Sequence, residues 1–165
     1  MESFSREEID SWRDEFQRRN YGCRRICLDR TQEVIYFELP QELFQVGGIH
    51  IPNGLFRMTG RKEDGYVVGV SKEVPLSIQS KFAASEHAEF MLFGLEDQDR
   101  TLKSEERMIR IMADEGVLKT FYRDNKLKLY NHMLEHARDN LEKWHFTPKD
   151  YKGFERARDF LQRVK

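Results

Sequence analysis

The sequence has few cysteines and few prolines, and it contains no long hydrophobic run. Two cysteines and four prolines occur in 165 residues, which argues against a secreted scaffold held together by disulfides. No apolar stretch approaches the roughly 18–20 residues that cross a bilayer, and the N-terminus lacks the apolar region of a signal peptide. We therefore expect a cytoplasmic protein with no membrane association.

The sequence also has no excess of charge of either sign. Twenty-eight Lys and Arg face 29 Asp and Glu, for a formal net charge of −1, which excludes a general polycation that attracts nucleic acid through its overall field. Hydrophobic residues make up 39% of the chain and include twelve Phe. That fraction is enough to build a core, so global disorder is excluded as well.

Motifs of several enzyme classes are absent. The sequence has no Gly-rich phosphate loop, no G-x-S-x-G elbow and no Rossmann fingerprint. Cys23 and Cys27 have no second cysteine pair with which to complete a metal site. On a strand these two residues would lie about 13 Å apart, too far for a disulfide. We expect two reduced thiols, and these absences favour binding over catalysis.

The first 70 residues predict one helix followed by a small sheet. Ser5 and Glu8 form a capping box at the start of the helix, and Gly22 is expected to end it. From Gly22 to about Val70, apolar residues alternate with period two between turn residues. The segments that follow this pattern are 23–29, 33–39, 48–51, 55–59 and 66–70. We interpret them as an antiparallel β-meander of about five strands.

The chain after Pro75 has apolar residues spaced by three and four, which is typical of helices. The clearest apolar stripe runs over Leu127–Trp144. Thr147 and Pro148, followed by Asp150, predict the cap and first turn of the last helix. The expected number of helices in this part is about four.

These patterns together define a fold class. We predict an α+β protein with an N-terminal helix, a small antiparallel β-meander of about five strands and a C-terminal bundle of about four helices. Residues 1–165 are expected to form a single domain. The one plausible subdivision separates residues 1–74, which hold the helix and the meander, from the helical residues 75–165.

His132, Glu135 and His136 form an H-x-x-E-H string. On a helix, histidines four residues apart project from one side and can bind a metal while the glutamate acts as a base. Residues 132–136 resemble the signature of the inverted zinc peptidases, a resemblance that implies a divalent metal but covers only these five residues. Both histidines lie opposite the Leu127–Trp144 stripe, which favours a solvent-exposed helix face.

Glu86 and Glu89 fall on the apolar side of a predicted helix, and His87 is expected to point away from it. A carboxylate on an apolar face is costly unless it is paired, protonated or functional. Two interpretations stay open: a catalytic acid or metal-binding carboxylate pair, and an interhelix ion pair with an arginine. The candidate arginines are Arg107, Arg110 and Arg123.

Arginines are concentrated near the start of the chain, at Arg18, Arg19, Arg24, Arg25 and Arg30. Five arginines against one aspartate give residues 18–30 a local charge of +4. Arginine side chains recognise phosphates and carboxylates, and the interleaved Tyr21 could stack on a nucleic-acid base. The segment therefore predicts structural or protein-partner electrostatics on one interpretation and nucleic-acid binding on the other.

The leading hypothesis is a non-enzymatic interaction protein, such as a regulator, inhibitor or immunity-type factor, that acts through a protein surface and needs no cofactor. One alternative is a metal-assisted hydrolase; its candidate residues are His132 and His136 with Glu135, or Glu86 and Glu89. Another is a nucleic-acid-binding accessory protein that uses the Arg18–Arg30 segment. A protein partner is expected, and the sequence leaves homo-oligomerisation open.

Overall fold

The computed structural model describes residues 6–27, 33–46, 49–50, 68–92, 99–137 and 147–165. Its architecture is mixed α+β and mostly helical, with five α-helices in these residues, as the periodicity predicts. The internal contacts divide the chain into two units. The N-terminal unit comprises residues 1–44 and 52–91, and the C-terminal unit comprises residues 45–51 and 92–165. Whether the chain acts as one domain stays a prediction.

Helix α1 spans Arg6–Arg18, which confirms the predicted N-terminal helix. Ser5, the expected capping residue, lies outside the described residues. Trp12 and Phe16 lie four residues apart, on one side of the helix, and both belong to the apolar cluster beneath it.

The end of α1 differs from the expectation, because Asn20 and not Gly22 ends the helix. Asn20 adopts a left-handed φ of 56°. Its N–H donates to the Gln17 carbonyl, and the Tyr21 N–H donates to the Phe16 carbonyl. This pair of bonds is a Schellman motif, and the Tyr21 and Phe16 rings, 5.8 Å apart, provide its usual apolar contact. Asparagine tolerates the left-handed region better than other non-glycine residues.

Five strands occur in the described residues: β1 (Cys23–Cys27), β2 (Glu33–Leu39), β3 (Gln45–Val46), β4 (Ile49–His50) and β5 (Val68–Ser71). The main sheet contains three of them in the order β1-β2-β5. Strands β1 and β2 are antiparallel, with Cys23 opposite Phe37, whereas β2 and β5 are parallel, with Tyr36 opposite Val68.

The prediction of a five-strand antiparallel meander is therefore wrong. The short β3 and β4 pair only with each other and belong to the C-terminal unit, and β5 joins the sheet in the parallel sense. Period-two patterning identifies extended segments, but it carries no information about which strand lies next to which. The predicted strand at 55–59 lies outside the described residues.

Helices α1 and α2 (Leu76–Leu92) pack on opposite faces of this sheet. Alternate side chains of a strand point to opposite faces. Phe37 and Leu39 of β2 pack with Phe16 of α1 in one buried cluster. The Tyr36 side chain, on the other face, reaches Gln79 of α2. The helix after Pro75 therefore completes the N-terminal unit.

The C-terminal unit contains the helices α3 (Arg100–Ile111), α4 (Gly116–Ala137) and α5 (Pro148–Arg163). Together with α2 of the N-terminal unit they make four helices after β5 in the described residues, the expected number. Helix α5 packs against both α3 and α4. Thr147 and Asp150 form a reciprocal capping box at its start, as predicted. Along the described segments, no helix combines the length and the apolar character that crossing a membrane requires.

We predict that Leu134→Ala lowers the free energy of unfolding by about 2–5 kcal/mol, as large-to-small changes in a core do. Leu134 is 5% exposed on α4. His136, on the same helix, is exposed, so His136→Ala should change the free energy of unfolding little. Urea denaturation of both variants measures the difference. An equal loss in the two variants would mean that the described orientation of α4 is incorrect.

Candidate binding site

Four of the five arginines in the Arg18–Arg30 segment lie in described residues, and Arg30 lies outside them. Arg18 and Arg19 are exposed at the end of α1, where a positive charge interacts favourably with the helix dipole. Arg19 also pairs with Glu15 at 2.8 Å. Arg24 and Arg25 are exposed on β1. The helix-end pair thus has a structural explanation, and β1 presents the other two arginines.

The Tyr21 ring, the aromatic residue among these arginines, is engaged within the fold. It packs against the cluster that contains Phe16 and Phe37. The Lys72 ammonium lies 5.9 Å from the centre of the ring, a distance that allows a cation–π contact. The Tyr21 ring is also only half-exposed. An open stacking platform for a nucleic-acid base would need a free ring face.

Arg24 is connected to the interior of the N-terminal unit through Glu38. Its Nε donates to Glu38 Oε1 at 2.7 Å across the β1–β2 pair. Gln79 Nε2 donates to Glu38 Oε2 at 3.2 Å, and the Tyr36 hydroxyl makes a long contact of 3.5 Å to Gln79 Oε1. A Cβ at Gly22 would lie only 3.1 Å from Glu38 Oε1. Gly22 therefore leaves room for this carboxylate.

The surroundings of Glu38 and Tyr36 fix their charge at neutral pH. Burial acts to raise the pKa of the Glu38 carboxyl. The hydrogen bonds from Arg24 and Gln79 and the charges of Arg24 and Lys72 together outweigh it, so the pKa lies below the ordinary value of 4.5. Burial raises the pKa of Tyr36, an effect that the Glu38 charge reinforces and Arg24 opposes. Glu38 is therefore ionised and Tyr36 is protonated.

The lowered pKa of Glu38 predicts that the protein loses stability in acid. Because the pKa of Glu38 is lower in the folded than in the unfolded protein, its contribution is present above pH 4.5 and disappears as the pH falls through the folded-state pKa. The difference in the free energy of unfolding between the unmodified protein and Glu38→Gln should shrink over this range. Urea denaturation between pH 7 and pH 3 measures it.

Arg24→Ala tests whether Arg24 is the cause of this pH dependence. It removes the main hydrogen bond and charge that lower the pKa of Glu38. In this background, Glu38→Gln should therefore have a smaller and less pH-dependent effect. An effect of Glu38→Gln that is constant from pH 7 to pH 3 in the unmodified protein would contradict the prediction.

Among the described residues, one side of the β1 backbone is open. The Glu38 N–H donates to the Gly22 carbonyl at 2.8 Å, and these two residues continue the register in which Cys23 faces Phe37. Hydrogen-bonded and non-hydrogen-bonded pairs alternate in an antiparallel ladder. Cys23, Arg25 and Cys27 therefore direct their N–H and C=O groups away from β2. Within the described segments, β2 is the one strand that pairs with β1.

The two cysteines lie on this strand, at its first and last positions. Both Cys23 and Cys27 are free and exposed, so the prediction of two unpaired thiols agrees with the structure. They share one face of β1 with Arg25, which lies between them. The cysteines therefore border the open edge.

Helix α2 carries the predicted carboxylates. Glu86 is 6% exposed and Glu89 is half-buried. His87 is also 6% exposed, so the expectation that it points away from the apolar side is wrong. The reason is that α2 is covered on more than one side, as its buried Gln79 and Ser85 also indicate. Burial lowers the pKa of the His87 imidazole, which favours its neutral form.

The arginines expected to pair with these carboxylates belong to α3 and α4. Arg123 donates through Nη1 to the Val164 carbonyl at 2.9 Å and contacts Asp124 through Nη2 at 2.9 Å. Arg110 is exposed. An ion pair of Glu86 or Glu89 with one of the three arginines stays a prediction, as does a catalytic role for either carboxylate.

His132, Glu135 and His136 are all exposed on α4, as their position opposite the apolar stripe indicates. The centres of the two imidazole rings lie 4.4 Å apart. A catalytic zinc site needs three protein ligands facing a protected position. The described residues contain no group of three or more His, Cys, Asp or Glu side chains that could hold a metal ion. Metal binding by this pair stays a prediction.

The sequence did not point to Glu105, a buried carboxylate of the C-terminal unit with several partners. It is 2% exposed on α3. The hydroxyls of Tyr122 and Tyr130 donate to its two oxygens at 2.9 and 2.6 Å. The Lys126 ammonium lies 3.2 Å from Oε1 and less than 6 Å from the centres of both tyrosine rings. This arrangement compensates a buried charge and ties α3 to α4.

One pattern in the sequence could have identified this network. Tyr122, Lys126 and Tyr130 are spaced by four and therefore lie along one face of α4. The pattern of apolar positions alone misses it, because a lysine interrupts the stripe and Glu105 is one of many acidic residues in a highly charged segment. Glu105, Tyr122 and Tyr130 are buried and Lys126 is partly buried, so the contacts among these four side chains hold α3 and α4 together.

We predict that Tyr130→Phe lowers the free energy of unfolding by about 1.5–3 kcal/mol, because it removes a hydrogen bond to a buried charged group. Tyr151→Phe on α5 is the matched control, since Tyr151 is only half-buried, and it should change the free energy of unfolding by less than about 0.5 kcal/mol. Chemical denaturation of both variants makes the comparison. Equal effects would show that the Glu105 contact contributes little.

Comparisons with known proteins add no relative to this description. No protein-family model matches the chain, and neither the curated proteins nor the solved structures contain a significant match. The function has to be argued from the chain's own residues.

Proposed function

We propose that this protein is a non-enzymatic, cytoplasmic interaction protein that binds an extended acidic segment of a partner protein along the open edge of β1. The observation that carries the proposal is the outward-facing backbone of Cys23, Arg25 and Cys27. An extended segment that lies beside such an edge forms main-chain hydrogen bonds with it, as in other cases of strand addition.

The side chains around this edge favour an acidic partner. Arg24 and Arg25 are exposed on opposite faces of β1 and place positive charge on both sides of the edge, although the Arg24 guanidinium also contacts Glu38. Charge-assisted hydrogen bonds between an arginine and a carboxylate are stronger than neutral ones. Ile35 lies directly opposite Arg25 and is 44% exposed, which offers an apolar contact on the same face.

A nucleic acid is a less favoured partner for the same segment. Tyr21 packs within the fold and is only half-exposed, so the aromatic residue among these arginines offers little ring area on which a base could stack. A metal-assisted hydrolase centred on His132 and His136 is less favoured, because these residues lie on an exposed helix face and supply only two ligands.

The face of α4 that carries Val117 and Phe121 is a second exposed surface. Val117 is 89% exposed and Phe121 is 38% exposed. Asp124 and Lys128, on the same face, have opposite charges. The charges on this face therefore do not favour a partner of either sign, whereas the arginines at the β1 edge favour an acidic partner.

The test uses synthetic nine-residue peptides with alternating Glu and Val or Thr residues, and matched peptides in which Lys replaces Glu. Amide resonances of the isotopically labelled full chain are followed during titration by NMR. We expect the acidic peptides to shift the resonances of β1 and to protect the Cys23, Arg25 and Cys27 amides from hydrogen exchange, while the Lys peptides have no such effect.

Two pairs of variants separate the backbone contribution from the charge contribution. Cys23→Pro removes an outward N–H at the first position of the strand, where proline is tolerated, and should weaken binding; Cys23→Ala controls for the thiol. Arg25→Glu should abolish acidic-peptide binding, whereas Lys152→Glu, the same charge reversal at an exposed site on α5, should not. The proposal fails if no peptide protects β1, or if a single-stranded oligonucleotide binds there with a steep salt dependence.

A further inference from the structure

The C-terminal unit contains a cavity that the proposed function does not use. This cavity is shallow and widely open to solvent, with a volume of about 410 Å³. It lies where the end of α3, the start of α4 and the end of α5 meet. The residues that line it are Glu106, Ile109, Arg110, Ala113, Lys119 and Phe160.

The floor of the cavity is apolar and well supported. Ile109 of α3 and Phe160 of α5 are partly buried and pack against the cluster formed by Tyr130, Ala157 and Leu161. Ala113 adds a small apolar surface from the turn after α3. An apolar group placed on this floor would contact side chains that are already held by the core, so little side-chain entropy would be lost on binding.

Two cations stand at the same cavity. Arg110 is exposed and Lys119 is half-buried. Both side chains line the cavity, so an anion bound there could accept hydrogen bonds from them. The remaining charged group, Glu106, lines the cavity too, and its negative charge acts against a ligand with two or more negative charges.

We propose that this cavity binds a small amphipathic monocarboxylate. The apolar part of the ligand packs on Ile109, Ala113 and Phe160, and its carboxylate accepts hydrogen bonds from Arg110 and Lys119. The combination of an apolar floor with two cations selects such a ligand over a bare inorganic anion, which gains nothing from the floor, and over an amphipathic cation, which the cations repel. The site is independent of the β1 edge.

Octanoate is the test ligand, with octylamine and inorganic phosphate as comparison ligands. NMR titrations of the isotopically labelled full chain should give saturable shifts with octanoate, centred on Ile109, Ala113 and Phe160. Octylamine and phosphate should give no saturable shifts there. The affinity for octanoate should fall about tenfold in each single variant, Arg110→Ala and Lys119→Ala, because each variant loses a hydrogen bond to a charged group.

Lys152→Ala is the matched control, since it removes an exposed cation of α5 outside the cavity, and it should leave octanoate binding unchanged. Circular dichroism and thermal unfolding establish that the variants are folded. The proposal is overturned if octanoate does not bind, if octylamine binds equally well, if phosphate alone saturates the site, or if the double variant Arg110→Ala with Lys119→Ala retains full affinity.

Discussion

The N-terminal unit depends on the carboxylate of Glu38, which holds three elements together. Arg24 on β1 and Gln79 on α2 both donate to it, and Glu38 itself lies on the central strand β2. The charge is only partly exposed, at 20% of the side chain, so it would be costly without these donors. The same Arg24 that satisfies it also lies on the open edge strand. Packing and the proposed binding surface therefore share one side chain.

Much of the fold could be predicted because local signals determine it. The Thr147–Asp150 capping box, the helix after Pro75 and the extended segments of β1 and β2 all follow from residues within a few positions of one another. The parallel pairing of β2 with β5 could not be predicted, because it joins segments about 30 residues apart in sequence through contacts that no local period encodes. The end of α1 at Asn20 was not predicted, because glycine is the commoner residue at the left-handed position that ends a helix.

The candidate sites were predictable to different degrees. The exposure of His132 and His136 followed from their angle to the apolar stripe, and the arginines of β1 were visible as a local excess of charge. The burial of His87 and the contacts of Glu105 could not be predicted from the sequence. A buried polar group is stabilised by partners on other elements, and those partners become apparent only when α3 and α4 are placed side by side.

The two units are not separate lengths of chain. Residues 45–51, with the β3–β4 pair, group with the C-terminal unit, while the residues on both sides group with the N-terminal unit. The polypeptide therefore passes between the units three times. A fragment that begins after α2 would contain α3, α4 and α5 but would lack β3 and β4. A fragment that ends after α2 would contain β3 and β4 but would lack these three helices. Proteolysis at one point between the units would not release two independently complete pieces.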